Sequence, residues 1–399
     1  MKPLYYFIFP VLIFSSCISG VKDDSTQNVD LMITNVQLFD GETVKSNVYI
    51  AIKGGNIVAI DSTLKFQAID TIDGNGKTII PGLINAHAHV SSSDELKETI
   101  QAGVFVILDM HKSDERIADT LRLYQDSIQY ATFYSAGFGA TVPKGHPTQY
   151  SPNMEVIDQN TSSEKFVLNR IANNSDYLKI FREPQAHPRR PEILPPSLNF
   201  LQIDTLIKTA KENNLLSIAH ISKVEDAVLI ASLGIDGFAH IWEDESITDQ
   251  QLDSLLDNNI FMIPTLYLLK TGLSFSPIKH SDSQVRGTHL TFDEISEDLV
   301  KLYNRGISIL AGTDSPNFGF NHGTDLYKEL VLLHEAGINN LDVLKTVTSN
   351  SALAFKLENA GFLRVSDQAN FILINGNPLE NIKDLSKIEG IWKKGVRIK

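Results

Sequence analysis

The sequence predicts an α/β protein in which a (β/α)8 barrel, or TIM barrel, carries a small β-sandwich domain made from both ends of the chain. Three observations lead to this prediction. Eight short apolar segments alternate with amphipathic stretches within residues 83–358, the pattern of parallel strands linked by helices. Strand-like segments separated by glycine turns occupy residues 30–82 and recur in residues 359–399. Residues able to bind a metal follow several apolar segments, where a barrel places its active site.

The amino terminus has the features of a lipoprotein-type signal peptide, which we assign to residues 1–16. Its apolar run from Leu4 to Phe14 is too short to span a bilayer. Cys17, the only cysteine, follows two serines, which resembles a bacterial lipobox, although leucine is commoner at the position of Phe14. We therefore expect Cys17 to be lipidated and the protein to lie in the cell envelope, anchored to a bacterial membrane and facing the periplasm or the surface. The alternative is an ordinary signal peptide. Polar residues 17–29 are expected to form a flexible tether.

Composition argues against several kinds of protein. Hydrophobic residues make up 42% of the chain and charged residues 21%, a balance that allows a large core and is not typical of disordered chains. The net charge is −13 and no basic run exceeds two residues, which argues against nucleic acid as a partner. A single cysteine cannot form an internal disulfide or a cysteine-rich metal site. Any metal must therefore be held by His, Asp, Glu or a modified Lys.

Both ends of the chain contribute strand-like segments to the predicted small domain. From Leu31 to Ile80, apolar and β-branched residues alternate with the turn signals Asp-Gly, Gly-Gly and Gly-Asn-Gly. The same strand-like pattern recurs in Ala369–Asn375 and Ile391–Ile398. The carboxyl-terminal pair has too few strands for a stable sheet alone, so we expect it to join the amino-terminal segments. Two unrelated β-appendages are the alternative.

The middle of the chain supplies the eight β/α repeats. The predicted strands are Leu83–His87, Val104–Asp109, Ala131–Ala136, Tyr177–Phe181, Leu216–His220, Gly237–His240, Ile260–Pro264 and Ile307–Ala311. The expected helices between them include Ile203–Glu212, Val224–Leu233, Asp249–Asp257, Phe292–Asn304 and Asp325–Glu335. The alternative, an open doubly wound sheet, would often carry a glycine-rich loop after its first strand, and the sequence has none there.

A His-X-His pair ends the first predicted strand. Side chains two residues apart on a strand point to one face and are rooted about 7 Å apart. The rings of His87 and His89 can therefore converge on one cation, with the small Ala88 facing away. Imidazole suits zinc and its first-row neighbours. Taken alone, the pair could equally be two unrelated histidines.

Four further residues able to bind a metal lie in or after later predicted strands. Lys179 is inside the fourth strand, His220 and His240 end the fifth and sixth, and Asp314 follows the eighth. Each has an ordinary alternative, because a histidine after a strand is often a hydrogen-bonded rim residue and Asp314 could cap a helix. Their joint position at the carboxyl ends of the strands favours one metal centre.

The motifs PGLINAHAH, SDYLKIF, LLSIAH, GFAH and AGTDS resemble the ligand motifs of the amidohydrolase superfamily of metal-dependent hydrolases, most closely its imidazolonepropionase-like and prolidase-like members. The resemblance covers nearly all of the chain after Asp30. It implies two divalent metal ions, with zinc as the first expectation. It also implies the ligands: His87, His89 and Asp314 for one ion, His220 and His240 for the other, and a carboxylated Lys179 as the bridge.

Three positions depart from the family pattern. Asn85 and Asn370 stand where Asp is usual, and Ala239 stands where Glu often precedes the histidine of the sixth strand. None of them removes a metal ligand. The changes at Asn85 and Ala239 affect groups that would support a ligand and tune its orientation.

The resemblance implies hydrolysis of an amide C–N bond in a small-molecule substrate, with a dipeptide as one candidate. A metal-bound hydroxide would attack the carbonyl, and Asp314 would take its proton and pass it to the leaving nitrogen. A deaminase or lactonase using the same site is the first alternative. A non-catalytic binding lipoprotein is the second, although the intact ligand set counts against it.

Two residues are candidates for substrate binding. His146 lies in a Gly-His pair similar to one in the family, and it could hydrogen-bond a substrate oxygen or be an ordinary loop histidine. Tyr267 follows the seventh predicted strand and could line the pocket or belong to the core. Arg182, Arg189 and Arg190 could grip a carboxylate, although a solvated basic loop is the simpler interpretation.

Overall fold

The computed structural model describes residues 28–63, 66–183, 196–275 and 290–399. The predicted signal peptide, Cys17 and most of the predicted tether lie outside this part of the chain, as do Arg189 and Arg190. Within the described residues, no helix is both long and apolar enough to cross a bilayer.

Strands and helices alternate along most of the described chain. The strands are β1 (Asn28–Phe39), β2 (Val44–Lys53), β3 (Asn56–Asp61), β4 (Gln67–Asp73), β5 (Thr78–Pro81), β6 (Leu83–Ala88), β7 (Val104–Asp109), β8 (Thr132–Ser135), β9 (Leu178–Phe181), β10 (Ser217–His220), β11 (Gly237–Ala239), β12 (Phe261–Ile263), β13 (Ser308–Ile309), β14 (Phe371–Ile374), β15 (Ile388–Lys393) and β16 (Val396–Arg397). The helices are α1 (Ser93–Gln101), α2 (Glu115–Arg122), α3 (Ser163–Ala172), α4 (Phe200–Glu212), α5 (Val224–Ser232), α6 (Asp249–Leu256), α7 (Leu266–Phe275), α8 (Phe292–Asn304), α9 (Leu326–Ala336), α10 (Asn340–Thr346) and α11 (Ser349–Ala354).

Strands from both ends of the chain form one sheet, in the order β16-β15-β14-β5-β1-β2-β3, with β4 also paired to β1. The two ends meet where β14 pairs antiparallel with β5, so that Phe371 faces Pro81 and Ile374 faces Thr78. The described strands are therefore not divided between the two sheets of the predicted sandwich. The reason is the long strand β1, which pairs with β2 along one edge and with β4 and β5 along the other.

Parallel strands form the middle of the molecule in two arcs, a three-stranded sheet β6-β7-β8 and a five-stranded sheet β13-β12-β11-β10-β9. Bridges between Ala140 and Ile180 and between Ala88 and Ser315 connect the arcs at both seams. Each predicted barrel strand overlaps one of these strands. Within each arc the strands lie in sequence order, as expected for a (β/α)8 barrel. Because the strands are parallel, their carboxyl ends lie on one side.

Local sequence explains where the helices begin. The predicted helix Phe292–Asn304 is present as α8 with the same bounds. The Thr291 side chain accepts from the Glu294 backbone amide, and the Glu294 carboxylate accepts in return from the Thr291 backbone amide. Ile295 and Leu299 are buried one turn apart on the face toward the strands.

Candidate metal centre

The two histidines at the end of β6 bring imidazole rings to the carboxyl edge of the parallel strands. β6 is buried along its whole length, and alternation puts both rings on the side away from Ala88. Their centroids are 5.5 Å apart. His87 is 1% exposed, whereas the His89 side chain is 28% exposed. The pair therefore reaches from the interior to the solvent edge.

Three other turns after strands pass through a left-handed backbone conformation. φ is 68° at His240, 51° at Thr265 and 55° at Asp314, values that residues other than glycine rarely adopt. Backbone hydrogen bonds from His240 to Ile263 (2.9 Å) and from Asp314 to His87 (2.8 Å) hold two of these turns. Strained residues of this kind cluster at functional sites, and here the turns follow β11, β12 and β13.

Side chains from β6 and from the turns after β11 and β13 converge. Nε2 of His87 and Nε2 of His89 lie 3.2 and 2.9 Å from one oxygen, Oδ1 of Asp314. That oxygen nevertheless has no hydrogen-bond partner. Ligand atoms of His87, His240 and Asp314 lie within 4.8 Å of one another. Imidazole nitrogens gathered around a carboxylate oxygen without hydrogen bonding are typical of ligands that share a cation.

His220 and Lys179 extend the same cluster. The His240 ring lies 4.8 Å from the His87 ring and 4.6 Å from the His220 ring. Lys179, on β9, is 0% exposed. Its Nζ has no hydrogen-bond partner and lies 5.6 Å from the centroid of the Phe181 ring.

Hydrogen bonds around two of the histidines determine which ring nitrogen is free. The Thr265 hydroxyl donates to the Pro264 carbonyl at 2.8 Å, so it accepts from Nδ1–H of His240, which is 2.7 Å away. Nδ1 of His89 lies 3.2 Å from the carbonyl oxygen of His111, which can only accept. In both rings Nε2 is therefore left with a lone pair, as a metal ligand requires.

Burial controls the charges in the cluster. It lowers the pKa of His87 to about 3 and the pKa of His240 well below the usual histidine value. For Asp314, burial acts to raise the pKa, but the facing His87 ring holds that pKa well below the usual carboxyl value. Burial also lowers the pKa of Lys179 to about 7. The cluster thus combines neutral rings, one carboxylate and a lysine that loses its proton more readily than an exposed lysine.

A family comparison agrees with this geometry. The sequence model of the amidohydrolase family matches residues 78–399, a stretch that begins with β5 and contains all eight strands of the two parallel arcs. The chain belongs to the amidohydrolase family.

Several known proteins match most of this chain or a short part of it. A 5-methylthioadenosine/S-adenosylhomocysteine deaminase from Dictyoglomus turgidum is 22% identical over 388 residues, covering 87% of this chain and 85% of the deaminase. An adenine deaminase from Oleidesulfovibrio alaskensis is 34% identical over 82 residues, which are 20% of this chain and only 13% of that enzyme. A solved Xaa-Pro dipeptidase with bound methionine has a TM-score of 0.77 at 20% identity, covering 92% of this chain and 99% of the dipeptidase. As an amidohydrolase, this chain is a hydrolase that acts on C–N bonds.

Amidohydrolases typically use divalent metal ions, and the donors of this chain fit such ions. Buried atoms without a hydrogen-bond partner include Nδ1 of His87, Nζ of Lys179 and Oδ1 of Asp314. A buried polar atom without a partner costs free energy, so three in one cluster indicate that the protein is adapted to a bound group. Imidazole and carboxylate are ligands of zinc and neighbouring first-row metals.

The two predicted substrate-binding residues lie in different surroundings. The His146 ring is 5.1 Å from the His220 ring, and its Nδ1 accepts from the Gln149 amide at 2.8 Å. Tyr267 stacks on Phe320 with ring centroids 4.4 Å apart, which places it with the loop after β13. The structure therefore brings His146, but not the ring of Tyr267, into contact with the histidine cluster.

Arg182 has partners within the protein. Its Nε and Nη2 donate to the two oxygens of Asp226 at 3.0 and 3.2 Å. Its Nη1 donates to the Leu198 carbonyl at 2.8 Å. Through this bidentate pair, Arg182 anchors α5, which carries Asp226. Its guanidinium group is therefore engaged within the protein rather than with a substrate carboxylate.

Sequence reasoning missed three residues that support the cluster. Thr265 holds His240, Asn317 donates to Oδ2 of Asp314 at 2.9 Å, and Glu183 lies 2.9 Å from Nε2 of His220. All three are polar residues after a parallel strand: Glu183 and Thr265 lie 2 residues past β9 and β12, and Asn317 lies 8 residues past β13. That position is the signal that could have identified them.

Proposed function

We propose that this amidohydrolase is a metal-dependent enzyme that cleaves an amide C–N bond, with a dipeptide as the candidate substrate. One observation carries the proposal: Asp314, four histidines and the unpartnered Lys179 gather at the carboxyl ends of parallel strands. A closed (β/α)8 barrel keeps its active site at that edge. The two connected arcs of parallel strands support such a barrel.

Two divalent ions, with zinc as the first candidate, match the available donors. The ligands we assign to one ion are His87, His89 and Asp314, and to the other His220 and His240. Lys179 would bridge them after carboxylation. Its lowered pKa of about 7 supports this role, because a neutral amine can add carbon dioxide and release a proton, which gives an anion with two oxygens.

The chain's own residues then account for proton transfer. Bound divalent ions supply Lewis acidity, which polarises a carbonyl group and makes water a better nucleophile. Asp314 takes the proton of the attacking water and gives it to the leaving nitrogen, while Asn317 fixes the orientation of its carboxylate. Because the Gln149 amide donates to Nδ1 of His146, the neutral His146 carries its proton on Nε2 and can donate to a substrate oxygen.

A deaminase is the second candidate. The observation that favours it is the deaminase from Dictyoglomus turgidum, which matches over 87% of this chain. The same proton shuttle would then deliver a proton to an amino group that leaves as ammonia.

A substrate panel distinguishes the two candidates. The metal-loaded protein is incubated with a dipeptide library and, separately, with adenine and adenosine derivatives. We expect free amino acids from dipeptides and no ammonia from the purines, with Asp314→Asn as the inactive control. Ammonia release from a purine would favour the deaminase. No turnover of either set by protein carrying two ions would contradict the hydrolase proposal.

We also propose that Cys17 is lipidated and holds the enzyme in the cell envelope. The support is the apolar run that ends at Phe14, followed by Ser-Ser-Cys. Wild-type protein should fractionate with membranes and take up labelled palmitate, whereas Cys17→Ala should do neither. A wild type that is fully released after signal removal would contradict the proposal.

A further inference from the structure

Glu183 reaches the metal centre from the end of β9. Its Oε2 lies 2.9 Å from Nε2 of His220, and its Oε1 accepts from the Ser222 hydroxyl at 3.1 Å. The side chain is 19% exposed. Both oxygens therefore have a donor, which fixes the direction in which the carboxylate meets the ring.

This contact determines how His220 can act. A carboxylate only accepts hydrogen bonds, so Nε2 of His220 must carry the proton that lies between the two groups. The neutral ring then has its lone pair on Nδ1, which is the nitrogen available to a metal. The His220 ring is 4.6 Å from that of His240, with which it would share an ion.

We infer that Glu183 is a positioning residue for the second metal ion, which acts by fixing the tautomer and orientation of His220. The inference rests on the proposed two-ion function. A carboxylate behind a metal-binding imidazole makes the ring a stronger ligand and holds it in place. His240 has only the neutral Thr265 hydroxyl in the same role, so the support of His220 is the more strongly charged of the two.

The inference predicts an asymmetric loss of metal affinity. Supporting groups of this kind change metal affinity by about 10- to 100-fold. Glu183→Ala should weaken the ion held by His220 and His240 by such a factor and leave the ion held by His87, His89 and Asp314 unchanged. Glu183→Gln should have a smaller effect, because its amide oxygen still accepts from Nε2–H but carries no charge.

The experiment is a calorimetric titration of metal-free full-length protein with zinc, followed by metal analysis of the loaded protein. Glu225→Gln is the matched control, because Glu225 is exposed on α5. It should bind both ions like the wild type. Two ions of unchanged affinity in Glu183→Ala would overturn the inference, and so would an equal weakening of both ions.

A second readout does not depend on metal. Imidazole ¹⁵N spectra of the metal-free protein should show His220 protonated at Nε2 in the wild type and a mixture of tautomers in Glu183→Ala. An unchanged spectrum would overturn the positioning role. A wild type that binds only one ion would instead contradict the proposed two-ion function, and the spectra would still decide whether Glu183 fixes the ring.

Discussion

Two buried lysines in different regions of the molecule have opposite surroundings. Lys393, on β15, is 3% exposed, and its Nζ donates to the carbonyls of Ser127 and Tyr130 at 3.0 and 2.6 Å. Lys179, on β9, is 0% exposed, and its Nζ has no hydrogen-bond partner. Burial lowers the pKa of Lys393 to about 8 and that of Lys179 to about 7.

The difference separates a structural cation from an amine that we propose to be functional. Lys393 ties the sheet built from both chain ends to the loop before β8, so its hydrogen bonds offset much of the cost of burial. Lys179 has no such compensation within the described protein. A buried amine without a partner is expensive, and its position among histidines and Asp314 suggests that a modification and a metal complete it.

We expect the greatest change at Asp314, which lies in the same cluster as Lys179 and is proposed to act in catalysis rather than in folding. Asp314→Asn should lower turnover by about 10²- to 10⁴-fold, because the amide cannot accept the proton. The left-handed φ of 55° suits asparagine, so folding and much of the metal binding should remain. Kinetics and metal analysis of the same preparation check this. Near-wild-type turnover would refute the proton-shuttle role.

The next largest effect is expected at the structural lysine. Lys393→Met keeps the apolar stem but removes the donor to two carbonyl groups. Leaving such groups buried without a partner should lower the free energy of unfolding by about 2–4 kcal/mol, measured by urea denaturation. Metal content and the Michaelis constant should not change. Lys387→Met, at an exposed lysine on the same end of the chain, is the control, and an equal loss of stability there would contradict the assignment.

At Lys179 we expect the free energy of unfolding to change in the opposite direction. Lys179→Met removes a buried amine without a partner, so the metal-free protein should gain about 1–3 kcal/mol in the free energy of unfolding. The same variant should lose the bridging group, and metal analysis should then give fewer than two ions per chain. If Lys179→Met destabilised the metal-free protein as much as Lys393→Met, the contrast between the two lysines would be wrong.

The parallel strands were predictable because their signals are local. Each of the eight apolar segments is bounded by turns or amphipathic stretches, and Thr291 with Glu294 marks the start of α8 in the sequence itself. The arrangement of the β-domain was less predictable. Its single sheet depends on β1 pairing with three other strands, and pairing between distant segments leaves no local trace.

The candidate site likewise contains residues that could be predicted from the sequence and residues that could not. His87, His89 and Asp314 could be identified because each is a possible ligand at a strand end. The positions of Glu183 and Thr265 after strands could have drawn attention to them. Their roles could not be predicted, because these depend on hydrogen bonds to histidines 37 positions after Glu183 and 25 positions before Thr265. Which histidine nitrogen is free follows from such contacts and has no sequence pattern.

Both lysines also make the stability of the metal-free protein depend on pH. The folded pKa of Lys179, about 7, lies below the value of about 10.4 for an unfolded chain. Between these values the unfolded state binds more protons, so the metal-free protein should become more stable as pH rises, by up to about 1.4 kcal/mol per pH unit. Lys393 has the same sign above its pKa of about 8.

Denaturation curves from pH 6.5 to 9 isolate the contribution of Lys179. Lys179→Met should lose the rise between about pH 7 and 8, where Lys393 contributes little, and should keep part of the rise above that. Identical curves for the wild type and Lys179→Met would show that the amine does not titrate in this range.

Thr265 is fully hydrogen-bonded like Lys393, but its partner His240 is a proposed metal ligand, and we expect the smallest change there. Its hydroxyl accepts from Nδ1–H of His240, and Thr265→Val removes that acceptor while keeping a β-branched side chain at a φ of 51°. Nδ1–H of His240 then loses its partner, and the ring can exchange its proton between the two nitrogens. Zinc affinity at the ion held by His240 should fall by about 10-fold, with stability changed by less than the loss at Lys393→Met. Thr265→Ser retains the hydroxyl and should bind zinc like the wild type. If Ser and Val weakened binding equally, the methyl group and the backbone turn, rather than the hydrogen bond, would be what positions His240.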